Sequence, residues 1–169
     1  MSLLTKVSTF LALLTVTACT VTPILETGSH EHTPHEGVIT PFNAKQVQVG
    51  FAELKLHDDK GDLELWLTKD IAGTKPFDLP LNSSIKVLFS NLGQKKVLLS
   101  VRNTTTNEDE EGNGNIRQNK TNYFIFPGKT GSDASFLMGS DFATKAIISF
   151  EADGILYTTP PFELYPHTH

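Results

Sequence analysis

The sequence predicts an all-β protein, an antiparallel β-sandwich of the immunoglobulin-like kind that follows a leader and a tether. Short runs of alternating apolar and polar residues, about seven in all, are separated by turn-forming residues. Asp153-Gly154 lies between two of these runs, and this dipeptide favours a tight two-residue hairpin turn. Sustained helical periodicity is missing, so only a helical turn or two near 135–138 is expected.

The first predicted hairpin joins Val47–Leu56 to Leu63–Thr68 through the polar turn His57–Asp62. The apolar residues of its first strand change phase at Gly50, which predicts a bulge or a bend there. Trp66 lies on the face of the second strand opposite the leucines. That position suits either an exposed interface aromatic or a side chain covered by a neighbouring segment.

The rest of the predicted sheet comes from shorter runs of the same kind, separated by a turn-rich segment at 69–84 and a long polar loop at 103–122. These runs are Ile85–Phe89, Val97–Val101, Tyr123–Phe126, Ala146–Phe150, Ile155–Thr158 and the edge piece Phe162–Tyr165. The residues expected in the core are Leu54, Leu56, Leu65, Leu67, Val87, Phe89, Leu99, Val101, Phe124, Ile148 and Phe150.

The only cysteine, Cys19, ends an N-terminal apolar run that follows the positive charge of Lys6. This layout is typical of a secretory signal peptide, and the run is too short to span a bilayer. The segment Val16-Thr17-Ala18-Cys19 resembles the lipobox of bacterial lipoproteins, in which the cysteine becomes the lipidated first residue of the mature protein.

This resemblance implies a removed signal peptide at 1–18 and an anchor of several acyl chains on Cys19, which together hold a protein stably on a membrane. Thr20 follows the cysteine where inner-membrane lipoproteins usually have Asp. The expected location is therefore the cell envelope, on the outer membrane and facing the periplasm. We expect a tether at 19–45, the β-sandwich at 46–165 and a histidine-containing tail at 166–169.

The charge of the chain limits its partners. Loss of Lys6 with the signal peptide takes the net charge from −5 to −6. An acidic chain without a basic stripe is a poor candidate for binding nucleic acid or anionic headgroups, but it permits cationic ligands. With its one thiol acylated, the mature chain forms no disulfide and no thiolate metal site.

Histidines are concentrated near the two ends of the mature chain. His30, His32 and His35 lie in one short segment with Glu36, and His167 and His169 lie at the C-terminus. Imidazole and carboxylate ligands suit zinc, nickel and copper(II). The two ends would meet if the first strand and the last segment are neighbours. The alternative is that these are solvated linker histidines with no selected ligand.

Three segments resemble small periplasmic β-domains that open with a His-Gly-Gly motif and continue with an Ala-Glu-Leu strand. The segments are Pro34–Ile39, Phe51–Leu56 and Gly61–Leu67, within a resemblance that covers about residues 34–101. Such domains occur in lipoproteins and at the start of the adaptor subunits of heavy-metal efflux pumps. The resemblance implies a metal-handling accessory protein, although Glu36 stands where the motif has Gly.

Other chemistry has little support in the sequence. The acidic loop Asn107–Asn115 departs from the EF-hand pattern, and a charge run of this kind is usually a solvated loop, so calcium is not expected. Motifs of the common hydrolases, nucleotide-binding proteins and zinc proteases are missing, so the chain is not predicted to be an enzyme. His57 is expected to be an exposed turn histidine.

The sequence therefore predicts a lipid-anchored envelope protein that binds or handles a divalent transition metal as an accessory to metal transport or resistance. Its partners would be the membrane and an envelope or metal-efflux protein. The alternative is a non-enzymatic interaction module that docks an envelope protein. On the first interpretation, replacing His30, His32 and His35 together by alanine abolishes the tightest metal binding, whereas His57→Ala leaves it unchanged.

Overall fold

The computed structural model describes residues 33–128, 132–139 and 143–167. Its strands are β1 Val38–Ala44, β2 Val47–Leu56, β3 Leu63–Thr68, β4 Leu79–Pro80, β5 Ile85–Phe89, β6 Lys95–Leu99, β7 Ile116–Arg117, β8 Lys120–Thr121, β9 Tyr123–Phe126, β10 Thr144–Ala152, β11 Ile155–Thr158 and β12 Phe162–Leu164. A 3-10 turn at Ser135–Leu137 lies where the sequence predicted helical content. Within the described ranges, no helix has the length and apolarity needed to cross a membrane.

The predicted all-β, antiparallel architecture is confirmed. The main sheet has the order β6-β5-β10-β11-β1-β2-β3-β9, and β12 pairs with β10. Its two ends approach each other at Ser100 and Ile125, whose backbones exchange hydrogen bonds of 3.0 and 3.1 Å. The sheet therefore curls until its two halves face each other across one core. A small second sheet contains β4, β8 and β7.

The predicted core residues lie inside this curled sheet. Those that are buried are Leu54, Leu56, Leu65, Leu67, Val87, Phe89, Leu99, Phe124, Ile148 and Phe150. Val101 is only partly buried, because it lies beyond the end of β6. Strand alternation thus predicted the inward face correctly.

The phase change at Gly50 is a bulge in β2. Phe42 of β1 pairs with Gly50, but the next residue, Asn43, pairs with Gln48, so the register shifts there. A Cβ atom on residue 50 would lie 2.5 Å from the ring of Phe42 and 2.4 Å from the carbonyl oxygen of Thr68. Glycine at this position therefore lets the aromatic ring pack directly against the backbone.

The predicted tether is wrong at its C-terminal end, because Val38–Ala44 within 19–45 form β1. This strand pairs with β2 and with β11, and its Phe42 is fully buried. Proline and glycine in the segment resemble a linker when only local composition is considered. The leader, Cys19, His30, His32 and His169 lie outside the described residues.

The long polar loop at 103–122 packs back onto the main sheet. Asn107 Nδ2 donates hydrogen bonds to Tyr123 O at 3.0 Å and to Thr121 Oγ1 at 2.9 Å. The loop also contains β7 and β8 of the small sheet. As a result, the outward face of β2, β3 and β9 is covered rather than solvated.

Candidate metal centre on the outer face of β2, β3 and β9

Strand alternation directs five large polar or aromatic side chains to the face opposite the leucine core. They are Glu53 and Lys55 of β2, Glu64 and Trp66 of β3, and Tyr123 of β9. None of them is more than 4% exposed. Buried charges in a protein are normally paired or coordinate a cation, so this face is a candidate site.

The Glu64 carboxylate is held from two directions. The Tyr123 hydroxyl donates a hydrogen bond to Glu64 Oε1, and His57 Nε2 lies 3.0 Å from Glu64 Oε2. Burial, with the neighbouring Glu64 charge, raises the pKa of Tyr123 well above its usual range. The phenol therefore remains a proton donor and fixes the orientation of the carboxylate.

His57 is buried, with 7% of its surface exposed, and the expectation of an exposed turn histidine is wrong. It lies at the end of β2, where it forms a bridge with His167, and its Nε2 lies 3.4 Å from Glu110 Oε2. The hydrogen bond to Glu64, together with the Glu110 charge, raises the pKa of His57 above 6.5 despite its burial. A proton on Nε2 is therefore stabilised by the two carboxylates.

Glu110 reaches this face from the polar loop. Lys55 Nζ donates to Glu110 Oε1, which leaves Oε2 directed toward His57. One ligand atom from each of His57, Glu64 and Glu110 lies within 4.8 Å of the others. We call these residues the three-ligand cluster. Their spacing would allow a single cation to replace the shared proton.

A second part of the network lies beside this cluster. Lys55 Nζ lies 3.8 Å from Glu36 Oε2, and the same oxygen is 3.1 Å from His167 Nε2. The N-terminal and C-terminal parts of the described residues thus meet here, as a metal site shared by the two histidine-containing segments would require. Glu36 and His167, two predicted ligands, border the cluster without belonging to it.

His35, a third predicted ligand, has a different role in the network. Its Nδ1 lies 2.8 Å from Glu53 Oε2, and its backbone N–H and that of Gly37 donate to Glu53 Oε1 at 2.8 and 3.1 Å. Burial alone would raise the pKa of Glu53, but the hydrogen bonds from His35 and Gly37 hold it below its usual value. His35 therefore holds the N-terminal turn onto β2.

Trp66 is covered rather than an exposed interface aromatic. The His35 ring stacks on it with a centroid distance of 4.1 Å and an interplanar angle of 2°. Tyr123 contacts it from another direction at 5.1 Å between ring centroids. As the only tryptophan of the chain, it is a fluorescent reporter two contacts away from the three-ligand cluster.

Formal charge at this face is strongly negative when the imidazoles are neutral. Four carboxylates contribute −4 and the ammonium of Lys55 contributes +1, so the net charge is −3. The carboxylates are those of Glu36, Glu53, Glu64 and Glu110. A divalent cation would neutralise most of this excess. One imidazole nitrogen and two carboxylate oxygens suit zinc and its neighbours, whereas copper(I) prefers sulfur.

Another carboxylate of the acidic loop, that of Asp109, is engaged in hydrogen bonds within the loop. Asp109 Oδ1 accepts from the Asn113 backbone N–H at 2.8 Å, and Asp109 Oδ2 accepts from Asn115 Nδ2 at 3.2 Å. Its carboxylate thus stabilises the turn. Glu110 is the loop residue that reaches the cluster.

Sequence reasoning missed all three residues of the three-ligand cluster. The signal that could have found them is the alternation Glu53, Lys55, His57 on one face of a strand, opposite Glu64 on its hairpin partner.

Comparisons of the chain with protein-family models, with curated proteins and with solved structures gave no match. The function is therefore inferred from the geometry of this site.

Proposed function

We propose that the protein is a lipid-anchored, non-enzymatic component of the cell envelope that binds a divalent transition metal as an accessory to metal transport or resistance. One observation carries the metal proposal. The side chains of buried His57 and Glu64 and of the more exposed Glu110 converge in an acidic environment, with their ligand atoms within 4.8 Å of one another.

The orientation of the carboxylates supports this proposal. Tyr123 holds one oxygen of Glu64, and Lys55 holds one oxygen of Glu110, so that each carboxylate directs its other oxygen toward His57. Outer partners of this kind orient the ligands of metal sites and raise metal affinity. Zinc, nickel and copper(II) fit the donor set.

The proposed centre differs from the ligands that the sequence suggested. The two sets lead to opposite predictions for His57 and His35, because His57 belongs to the three-ligand cluster and His35 is engaged with Glu53. A matched pair of single variants therefore separates them.

The test uses the soluble mature chain, residues 19–169 with Cys19→Ser. Zinc is titrated by calorimetry, and copper(II) is titrated by quenching of Trp66 fluorescence. We expect His57→Gln to weaken binding by about 100-fold, because a ligand is lost, whereas His35→Gln keeps the wild-type affinity. Loss of binding in His35→Gln with full binding in His57→Gln would contradict the proposed centre and favour the N-terminal histidines.

A non-enzymatic interaction module is the second candidate. The ammonium of buried Lys55 lies between Glu110 and Glu36 and supplies a counter-charge from the chain itself. The network is then a structural ion cluster that holds the loop, Glu36 and His167 on the sheet. Titrations in which the wild-type chain binds neither zinc nor copper(II) would favour this second function.

The lipid anchor is a separate prediction from the sequence. We expect the full-length precursor to be processed at Cys19 and to fractionate with membranes, whereas Cys19→Ser yields unprocessed or soluble protein. Metabolic labelling with a fatty acid, followed by membrane fractionation, measures both properties. A Cys19→Ser variant that is cleaved normally and still fractionates with membranes would rule out the lipoprotein proposal.

A further inference from the structure

The C-terminal segment, residues 165–167, lies beside the three-ligand cluster. The backbone N–H of His167 donates to Leu56 O at 2.7 Å, and His167 forms a parallel bridge with His57. Residues directly opposite each other on neighbouring strands project to the same face of a sheet. The imidazole of His167 is therefore on the face that contains the cluster.

Charged side chains also connect His167 to the cluster. Its Nε2 lies 3.1 Å from Glu36 Oε2, which contacts Lys55 Nζ at 3.8 Å, and Lys55 in turn donates to Glu110. The side chain of Glu36 is 58% exposed and that of His167 is 19% exposed, against 4% for Glu64. The Glu36–His167 pair is thus at the rim of the site, with Glu36 the more exposed of the two.

The three-ligand cluster supplies one donor fewer than a closed tetrahedral zinc shell requires. Among the neighbouring groups, an ammonium such as Lys55 has no lone pair to offer. His35 is stacked on Trp66 and hydrogen-bonded to Glu53, so its ring is held in place. The other adjacent imidazole is that of His167. Its contact with Glu36 lies at the rim of the site, where the imidazole can exchange this partner for a metal ion.

We propose that His167 is the fourth protein ligand, so that metal binding closes the C-terminal segment over the site as a latch. This inference rests on the proposed function. The complete set is then two imidazole nitrogens and two carboxylate oxygens, a zinc-type shell without sulfur. Release of the metal requires the segment to open, which couples retention of the ion to the position of residues 165–167.

The test compares His167→Gln with a matched control, His169→Gln, in the soluble mature chain. We expect His167→Gln to weaken zinc binding by about tenfold or more. Cobalt(II) is the spectroscopic probe, because four-coordinate cobalt absorbs visible light far more strongly than six-coordinate cobalt. The wild-type chain and His169→Gln are expected to share one intense band, whereas His167→Gln, in which water replaces the imidazole in the fourth position, is expected to show a band shifted in wavelength.

Hydrogen exchange at 165–167 gives an independent measurement. Zinc is expected to slow exchange in this segment of the wild-type chain and to leave it unchanged in His167→Gln. If zinc affinity, cobalt absorption and protection are unaltered in His167→Gln, the latch is overturned. If His57→Gln abolishes zinc binding in the same series, the proposed metal function stands without the latch. A wild-type chain that binds no zinc overturns both proposals, and equal losses in His169→Gln would overturn the assignment to His167.

Discussion

Replacement of Glu64 by alanine is expected to lower the free energy of unfolding of the metal-free protein by about 3–5 kcal/mol. The substitution leaves the buried hydroxyl of Tyr123 without its acceptor and removes the closest carboxylate from His57. Because the folded-state pKa of His57 is raised, its ion pair contributes fully below pH 6.5 and is lost as the pH rises through that pKa. The destabilisation should therefore be larger near pH 6 than near pH 9.

Urea denaturation in the presence of a chelator measures this loss. Glu163→Ala is the control, since Glu163 and Lys145 form an exposed ion pair at 3.5 Å, with half or more of each side chain exposed. Exposed pairs contribute about 1 kcal/mol at most. Equal, small losses in the two variants would show that Glu64 is not a buried, paired charge. Glu64→Gln, which retains an oxygen acceptor for Tyr123, should be less destabilised than the alanine variant.

Replacement of Phe42 by alanine is expected to lower the free energy of unfolding by about 3–5 kcal/mol as well. The ring is fully buried and contacts Phe77, Phe150 and Tyr157 at centroid distances of 5.1, 5.4 and 6.0 Å. Truncation leaves a cavity beneath the bulge at Gly50, where the backbone of β2 approaches the ring. Because β1 joins β2 to β11, this cavity also weakens the connection between the two halves of the main sheet.

The same denaturation experiment tests Phe42→Ala, with Val47→Ala as its control. Val47 is 64% exposed at the start of β2, so its truncation should change the free energy of unfolding by less than about 0.5 kcal/mol. If the two variants unfold at the same urea concentration, β1 is not an integral strand of the core. The segment 38–44 would then be the tether that the sequence analysis expected.

Most strands could be predicted because their signals are local. Asp153 and Gly154, for example, both adopt positive φ angles, 51° and 71°, as a tight hairpin turn between antiparallel strands requires. The first strand was missed for the opposite reason. Its proline and the glycine before it are typical of a linker, and it is stabilised by partners on both sides.

The candidate site could be predicted only in part. The density of histidines predicted ligands near the N-terminal and C-terminal parts of the mature chain. Two of the predicted ligands, Glu36 and His167, do contact each other beside the cluster. Histidine density did not identify His57, because a histidine beside two aspartates in a turn is ordinarily solvated. Its burial depends on Glu64 across the hairpin and on Glu110, which lies far along the chain.

The sequence by itself determined which residues alternate, where the chain turns and therefore which face of each strand forms the leucine core. It could not determine whether the opposite face meets water. That depended on the polar loop and the segments around His35 and His167 folding back over the outer face of β2 and β3, a set of contacts between distant residues. Alternation specifies two faces for every strand, but only tertiary structure covers the second one, and charges buried there must find partners because removing them from water is costly.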